Sequence, residues 1–325
     1  MSTSPDHASA PSGPAAKAAV LVEALPYIRR FAGAVVVVKY GGNALAGESA
    51  VDALALFAQD VVLMRAVGMH PVVVHGGGPQ ISELMNRLGK VPEFRNGLRV
   101  TDAETVDIAR MVLRGQVNPQ LVAAINVHGA LAVGVSGEDA SLISATPAEG
   151  DLGFVGQVGS INPAILQRLL NEDLIPVVAT IGSDATGQAY NINADTVAGA
   201  LAVALGAEKL VYVTDIEGLR RDLADPASLI RQTTAGELEA LVADGTLSGG
   251  MIPKIESCIA AVRGGVGRAH ILDGRVPHVL LLEIFTDAGI GTMVTLDGGA
   301  TPSASFVSAI TTSGVDSDDM NGAST

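Results

Sequence analysis

Short apolar runs, each closed by glycine or a polar residue, alternate along the chain with longer stretches whose apolar positions recur every three to four residues. The runs at 35–38, 71–75, 130–135, 174–181, 209–213, 268–272 and 293–296 predict strands. Val35 to Val38 is apolar on both faces, which places it in a parallel sheet covered by helices. Helical spacing predicts helices over 17–31, 51–67, 79–88, 103–114, 118–127, 163–170, about 195–205, 235–243, about 253–263 and 279–285. Residues 142–146 and 154–160 predict a hairpin, with Gly150 and Gly153 in its bend. Strands and helices alternate throughout, so the expected class is α/β, a three-layer α/β/α sandwich with a mainly parallel central sheet. In the first helix, Ala18, Leu21, Leu25 and Ile28 share a face, and Pro26 predicts a kink around 22–25. That apolar face needs a partner, either this domain or another subunit.

Composition narrows the class. The chain has 325 residues, 48% of them hydrophobic, enough for a large core, but only 3% aromatic. A formal charge of −14 with few aromatics to stack on bases argues against nucleic acid. No apolar run is long enough to span a bilayer, and the start lacks the pattern of a signal peptide. The lone cysteine, Cys258, sits at helical spacing with Ile255, Ile259 and Val262 and reads as a small buried hydrophobe. One cysteine excludes a disulfide framework and suits the cytoplasm. Residues 1–16 and 301–325 read as disordered tails.

The chemistry gathers where predicted strands end, which is where open α/β sheets hold ligands. Lys39 leaves the valine strand with Gly41 and Gly42 behind it. The second strand ends in Gly76, Gly77 and Gly78, which open a helix with Pro79 in its first turn. Glycines there let backbone N–H groups approach an anion. Arg99 precedes the 103–114 helix; it either forks onto a carboxylate or stands exposed on the surface. Thr101 or Asp102 caps that helix, and Thr101 with Glu104 fits a capping box. Asn191, Asn193 and Asp195 crowd the mouth of an apolar helix. Capping accounts for one of them, Asn193, and leaves Asp195 to face the crevice. Thr214 and Asp215 follow another strand, and Gly249-Gly250-Met251-Ile252-Pro253-Lys254 opens a further helix. The chain has no P-loop or dinucleotide glycine pattern, no Cys–His or His–Ser constellation and no Cys/His metal spacing. Two glycine-flanked lysines make phosphoryl transfer the economical reading, since it needs positioning and charge neutralisation more than covalent groups.

At these residues the chain closely resembles the acetylglutamate kinases of the amino acid kinase family. The resemblance covers residues 21–296 and rests jointly on Val38-Lys39-Tyr40-Gly41-Gly42-Asn43, Val74-His75-Gly76-Gly77-Gly78-Pro79-Gln80, Asn96-Gly97-Leu98-Arg99-Val100-Thr101, Tyr190-Asn191-Ile192-Asn193-Ala194-Asp195 and Gly249 to Lys254. It implies transfer of a phosphoryl group from ATP, with Mg2+ held mainly by the nucleotide phosphates, to the side-chain carboxylate of N-acetyl-L-glutamate. This is the second step of arginine biosynthesis. It further implies that Lys39 and Lys254 stabilise the group in transfer and Asp195 holds both. Gly77, Gly78, Arg99 and Asn191 would bind acetylglutamate. Gly41, Gly42, Thr214, Asp215, Leu219, Ser248, Gly250 and Met251 would meet ATP, and no residue would be a dedicated metal ligand. The resemblance divides the chain into a helix at 17–32, an acetylglutamate-binding and dimerising lobe at 33–185 and an ATP lobe at 186–300. The first helix and the C-terminal portion resemble the arginine-inhibited hexameric members, in which arginine would meet Tyr27, His270 and Glu283. Two alternatives stay open at this point: an amino acid kinase acting on glutamate, carbamate or aspartate, and a catalytically silent arginine sensor.

Overall fold

The computed structural model describes residues 13–41, 50–95, 97–222, 224–247, 251–286 and 289–298. Helix α1 (Pro14–Phe31), with Pro26 inside it, leads into β1 (Val35–Tyr40), α2 (Ala50–Ala66), β2 (His70–His75) and α3 (Gly78–Arg87). A two-stranded ribbon, β3 (Phe94–Arg95) and β4 (Leu98–Arg99), precedes α4 (Ala103–Val112) and α5 (Asn118–Asn126). Then come β5 (Ala132–Ser136), β6 (Ile143–Pro147), β7 (Val155–Ile161), α6 (Ala164–Asn171), β8 (Ile175–Ala179), β9 (Ile181–Ser183) and β10 (Ala189–Ile192). The chain continues through α7 (Ala194–Ala204), β11 (Lys209–Thr214), β12 (Gln232–Thr234), α8 (Ala235–Ala243), α9 (Ile252–Arg263), β13 (Arg268–Asp273), α10 (Val279–Phe285) and β14 (Thr292–Thr295).

Eight strands form the central sheet in the order β12-β14-β13-β11-β1-β2-β8-β5. Its pairings are parallel apart from β13 with β14, so the mainly parallel sandwich expected from the sequence is the fold. The valine run behaves as its two apolar faces require. Val36, Val38 and Tyr40 enter a core with α2 to α5 and α10, while Val37 enters a second core with α6 to α9. β1 lies between β2 and β11, where the chain's progress across the sheet reverses, and such a switch point opens a crevice beyond the strand ends.

Four local expectations change. The first helix begins at Pro14, inside the stretch read as a tail. The predicted strand at 174–181 divides at Thr180, and β9 leaves the sheet to close a small barrel with β10, β7 and β6. The predicted gap between the helices ending at 114 and starting at 118 is a π-turn, Leu113–Val117, which joins α4 to α5 ahead of Pro119. A π-turn shifts the hydrogen-bond pattern and so absorbs the donor a proline lacks. Finally, Asp102 alone caps α4, accepting from the Thr105 N–H, because the Thr101 hydroxyl is buried and donates to the Arg99 carbonyl. Among the described residues no helix is long and apolar enough to cross a membrane.

Candidate active site

Three elements converge on one carboxylate. Asn193 caps α7, its side chain accepting from the N–H groups of Asp195 and Thr196. That leaves Asp195 in the first turn with its side chain free of capping duty. Its Oδ1 lies 2.9 Å from Lys39 Nζ, at the end of β1. Its Oδ2 accepts at 2.8 Å from Lys254 Nζ, in the first turn of α9. The three side chains are 10–14% exposed, enough to reach a ligand while shielding their charges from water. Burial pushes the Asp195 carboxyl up, but the two ammonium groups outweigh it and hold its pKa below the usual value. Burial pulls Lys39 below the ordinary lysine value against the attraction of Asp195. Two ammoniums against one carboxylate leave a local excess of one positive charge.

Glycines shape the rest of the crevice. A Cβ on Gly41 would sit 3.2 Å from the Val213 carbonyl, beside the Lys39 ammonium at 3.8 Å. A Cβ on Gly76 would lie 3.3 Å from the Ala194 Cβ, and one on Gly77 only 2.7 Å from Leu113. The triple-glycine turn is thus pressed between the start of α7 and the π-turn. The N-termini of α3, α7 and α9 are therefore neighbours, and their dipoles favour negative charge.

The same turn is held from behind by a residue that sequence reading placed only at a strand end. His75 is fully buried, and Asn118 Nδ2 donates to its Nε2 at 3.0 Å. Its Nδ1 lies 3.0 Å from the Gly76 carbonyl. A ring that accepts at Nε2 must carry its proton on Nδ1, so His75 is neutral and donates to Gly76. Burial agrees, lowering its pKa to about 4. An unfolded histidine titrates near 6.5, so native stability is complete above that pH and falls toward pH 4, where the unfolded chain binds the extra proton. His270 is also buried with its pKa lowered, chiefly by burial, so its contribution has the same sign. Urea unfolding between pH 7 and 4.5 should show His75 contributing about 2 kcal/mol to this loss. A His75→Gln variant should have a shallower slope, and an unchanged slope would remove His75 from the account.

Arg99 is buried, which excludes the exposed alternative. Its Nη2 donates to the Gly78 carbonyl at 2.8 Å and to Ser82 Oγ at 2.7 Å, and its guanidinium lies 4.7 Å from the Phe94 ring centre. Asn191 is tied to the same region through backbone. Its N–H donates to the Phe154 carbonyl, and the Phe154 N–H donates to the Thr101 carbonyl, two residues from Arg99. Gly153 makes this approach possible: its φ is +68°, and a Cβ there would stand only 2.3 Å from the Thr101 oxygen.

Thr214 closes β11, and its hydroxyl accepts from the Ile216 N–H. Asp215 follows it, Leu219 is buried, and Met251 precedes α9. Gly42, Ser248 and Gly250 lie outside the described residues. On the opposite core, His270 Nδ1 and Glu283 Oε1 are 2.9 Å apart, and Lys209 Nζ approaches the same Glu283 oxygen at 3.3 Å. Lys209 also lies 5.0 Å from the ring centre of Phe31, at the end of α1. Tyr27 packs against the core that contains Phe31 and α10. Sequence reading missed Lys209, Asn118, Tyr212 and Ser257. Lysine starting an apolar strand was the one visible signal among them.

This sheet, with its crevice at the β1/β11 switch point, matches a known class. A model of the amino acid kinase family matches residues 34–273. The chain belongs to that family. It is 55% identical over 287 residues to an acetylglutamate kinase of Symbiobacterium thermophilum, covering 86% of this chain and 97% of the relative. It is 56% identical over 287 residues to an acetylglutamate kinase of Saccharopolyspora erythraea, covering 86% and 93%. Among solved structures, N-acetylglutamate synthase from Neisseria gonorrhoeae, complexed with coenzyme A and N-acetyl-glutamate, is 30% identical with a TM-score of 0.76. That match covers 87% of this chain but 64% of the synthase, less than two thirds of its length. Carbamate kinase from Giardia lamblia, at 18% identity and a TM-score of 0.62, shares the fold. The relatives place the chain among the acetylglutamate kinases, phosphotransferases with a carboxyl acceptor: it uses ATP to phosphorylate the side-chain carboxylate of N-acetyl-L-glutamate.

Proposed function

We propose that Lys39, Lys254 and Asp195 carry this transfer. The observation behind the proposal is that each Asp195 oxygen binds one lysine, 2.9 Å on one side and 2.8 Å on the other. Two ammoniums so fixed can face a phosphoryl group from two sides as its charge spreads over the equatorial oxygens. The acceptor carboxylate is already ionised at neutral pH, so no general base is required. Gly77 and Gly78 would meet the reacting end of acetylglutamate, with Arg99 and Asn191 at its α-carboxylate and acetamido end. Gly41, Gly42, Thr214, Asp215, Leu219, Ser248, Gly250 and Met251 would line the nucleotide. Magnesium would arrive on the ATP phosphates. Among the described residues no three His, Cys, Asp or Glu side chains cluster to hold an ion, and both Asp195 oxygens are engaged by lysines. In this reading residues 33–185 bind acetylglutamate and dimerise, and 186–300 bind ATP. The lone buried cysteine suits a cytoplasmic setting.

Regulation by arginine and a hexamer built from dimers belong to the same proposal. Their support is α1, whose Leu21 and Leu25 are 69% and 49% exposed, on the very face the sequence marks as needing a partner. Among the described residues the helix packs on this chain's core at its end, through Tyr27 and Phe31, beside the α10 that carries Glu283. Arginine would then meet Tyr27, His270 and Glu283. One experiment tests substrate and regulation together: ADP release with N-acetylglutamate against glutamate, with and without arginine, in the wild type and a Leu21→Glu/Leu25→Glu variant. The wild type should prefer the acetylated substrate, be hexameric in sedimentation and be inhibited by arginine. The variant should keep its uninhibited rate while losing hexamer and arginine response together. A variant that loses the hexamer yet responds to arginine unchanged would contradict the coupling.

A further inference from the structure

One buried side chain touches the surroundings of all three charged residues, although its own type is chemically silent at neutral pH. Tyr212 lies on β11 in direct register with Lys39 on β1. Partners in a parallel ladder point to the same face, so its ring extends from the sheet on the side of Lys39, toward α7 and α9. Lys254 Nζ sits 5.0 Å from the ring centre, within cation–π range. The Tyr212 hydroxyl is 2.6 Å from Ser257 Oγ and 3.2 Å from the Asp195 carbonyl oxygen. Ser257 Oγ in turn is 2.7 Å from that same carbonyl.

The proton positions follow from these distances. Ser257 makes the shorter contact to the carbonyl, which can only accept, so the serine proton points there. The serine oxygen is then open to accept from Tyr212. Burial pushes the Tyr212 phenol well above its usual pKa, so the proton it donates is retained. The chain therefore runs from the Tyr212 hydroxyl through Ser257 to the Asp195 backbone.

Helix spacing shows why this matters for the ion pairs. Lys254 and Ser257 are three apart on α9, and Asp195 and Gly199 four apart on α7, so each pair shares a face. The contact between the helices thus has two levels, Lys254 on Asp195 at the mouth and Ser257 against Gly199 below it. A Cβ on Gly199 would stand 2.5 Å from Ser257 Oγ. Glycine inside a helix costs roughly 0.5–1 kcal/mol relative to alanine, and here it admits the serine hydroxyl to the Asp195 carbonyl.

We propose that Tyr212 and Ser257 are positioning residues for phosphoryl transfer, a hydroxyl chain that locks the backbone of Asp195 to α9 and sets Lys254 over the tyrosine ring. The proposal rests on the assignment of Lys39, Lys254 and Asp195 to the reaction. Tyr212→Phe removes one oxygen and keeps the ring; Ser257→Ala removes the other hydroxyl. Each should lower kcat about tenfold with the KM for ATP and acetylglutamate changed less than about twofold, because misplacement by a fraction of an ångström acts on the transition state rather than on binding. The double variant should fall about tenfold, not a hundredfold, since either change breaks the same chain. Tyr212→Leu also removes the π face beneath the Lys254 ammonium, and should lower kcat further than Tyr212→Phe. Gly199→Ala should lower kcat, and adding Ser257→Ala should return it to the level of Ser257→Ala alone.

All rates are to be compared well below each variant's own Tm. If Tyr212→Phe and Ser257→Ala leave kcat within twofold while Lys39→Ala and Lys254→Ala abolish it, the positioning role is wrong and the lysine assignment stands. If KM rises in step with a fall in Tm, the pair is packing only and the proposal is likewise overturned. If the lysine variants themselves keep turnover, the assignment on which it rests has failed.

Discussion

Lys39→Ala and Lys254→Ala should each lower kcat by about 10²–10³-fold, the loss typical when one preorganised donor to a developing charge is removed. The chemistry of the step makes so large an effect reasonable. Phosphoryl transfer from ATP to a carboxylate brings an anion against an anion, and neither reactant needs a proton moved. What the protein must supply is position and positive charge. Both lysines reach the crevice from rigid elements, one from the end of a central strand and one from the first turn of a helix, and Asp195 fixes both. Losing one removes one of the two ammonium charges and leaves the Asp195 carboxylate held by a single partner. Arginine should not restore activity at either site, because a planar guanidinium bound to Asp195 carries its charge in a different place from a compact ammonium. The check is the initial rate of ADP release at saturating substrates, beside thermal unfolding to show the fold is retained. A kcat within tenfold of wild type in both variants would remove the lysines from the transition state.

Lys39, Gly41, Gly76 to Gly78 and Asp195 were visible in the sequence for one physical reason. All stand at the end of a strand or in the first turn of a helix, positions a run of valines or a cap such as Asn193 marks directly. Because parallel strands put their ends on one side of the sheet, such residues are brought together by topology, and a one-dimensional reading can gather them. Tyr212 and Ser257 could not be gathered this way. Each sits inside an apolar segment, at a position that periodicity assigns to the core, and only the contact of α7 with α9 through Gly199 gives the hydroxyls a partner. The small barrel was hidden for a related reason. β10 pairs with β7 across more than thirty positions, Asn191 with Val155, and a strand that leaves its sheet at Thr180 carries no local mark of doing so. The exposed face of α1 shows the limit from the other direction. The pattern of Leu21 and Leu25 marks a face that needs covering, but not that both side chains stand exposed among the described residues.

Asp195→Asn should be the most destabilising conservative change in the crevice, and its cost should depend on pH in a way that identifies the cause. The amide preserves shape but leaves two part-buried ammonium groups without a counter-charge. Removing one partner of a buried ion pair costs about 3–5 kcal/mol, which for a chain of this size lowers Tm by about 5–8 °C. Lysine offers a way out that arginine would not: it can release its proton. Burial already holds the native Lys39 pKa below its ordinary value, and attraction to Asp195 is what opposes the fall. Without that attraction the native pKa drops further, while in the unfolded chain it stays near 10.4. Between those two values the unfolded state binds more protons than the native one, so stability rises with pH. The window opens at a lower pH in the variant than in the wild type. Unfolding measured from pH 7 to 9 should therefore show the stability deficit of Asp195→Asn against the wild type narrowing as pH rises. Activity should not return with it, since the deprotonated lysine that relieves the fold no longer carries the charge the phosphoryl group requires. A deficit constant across that pH range would mean that lost packing or hydrogen bonding, rather than unpaired positive charge, explains the instability.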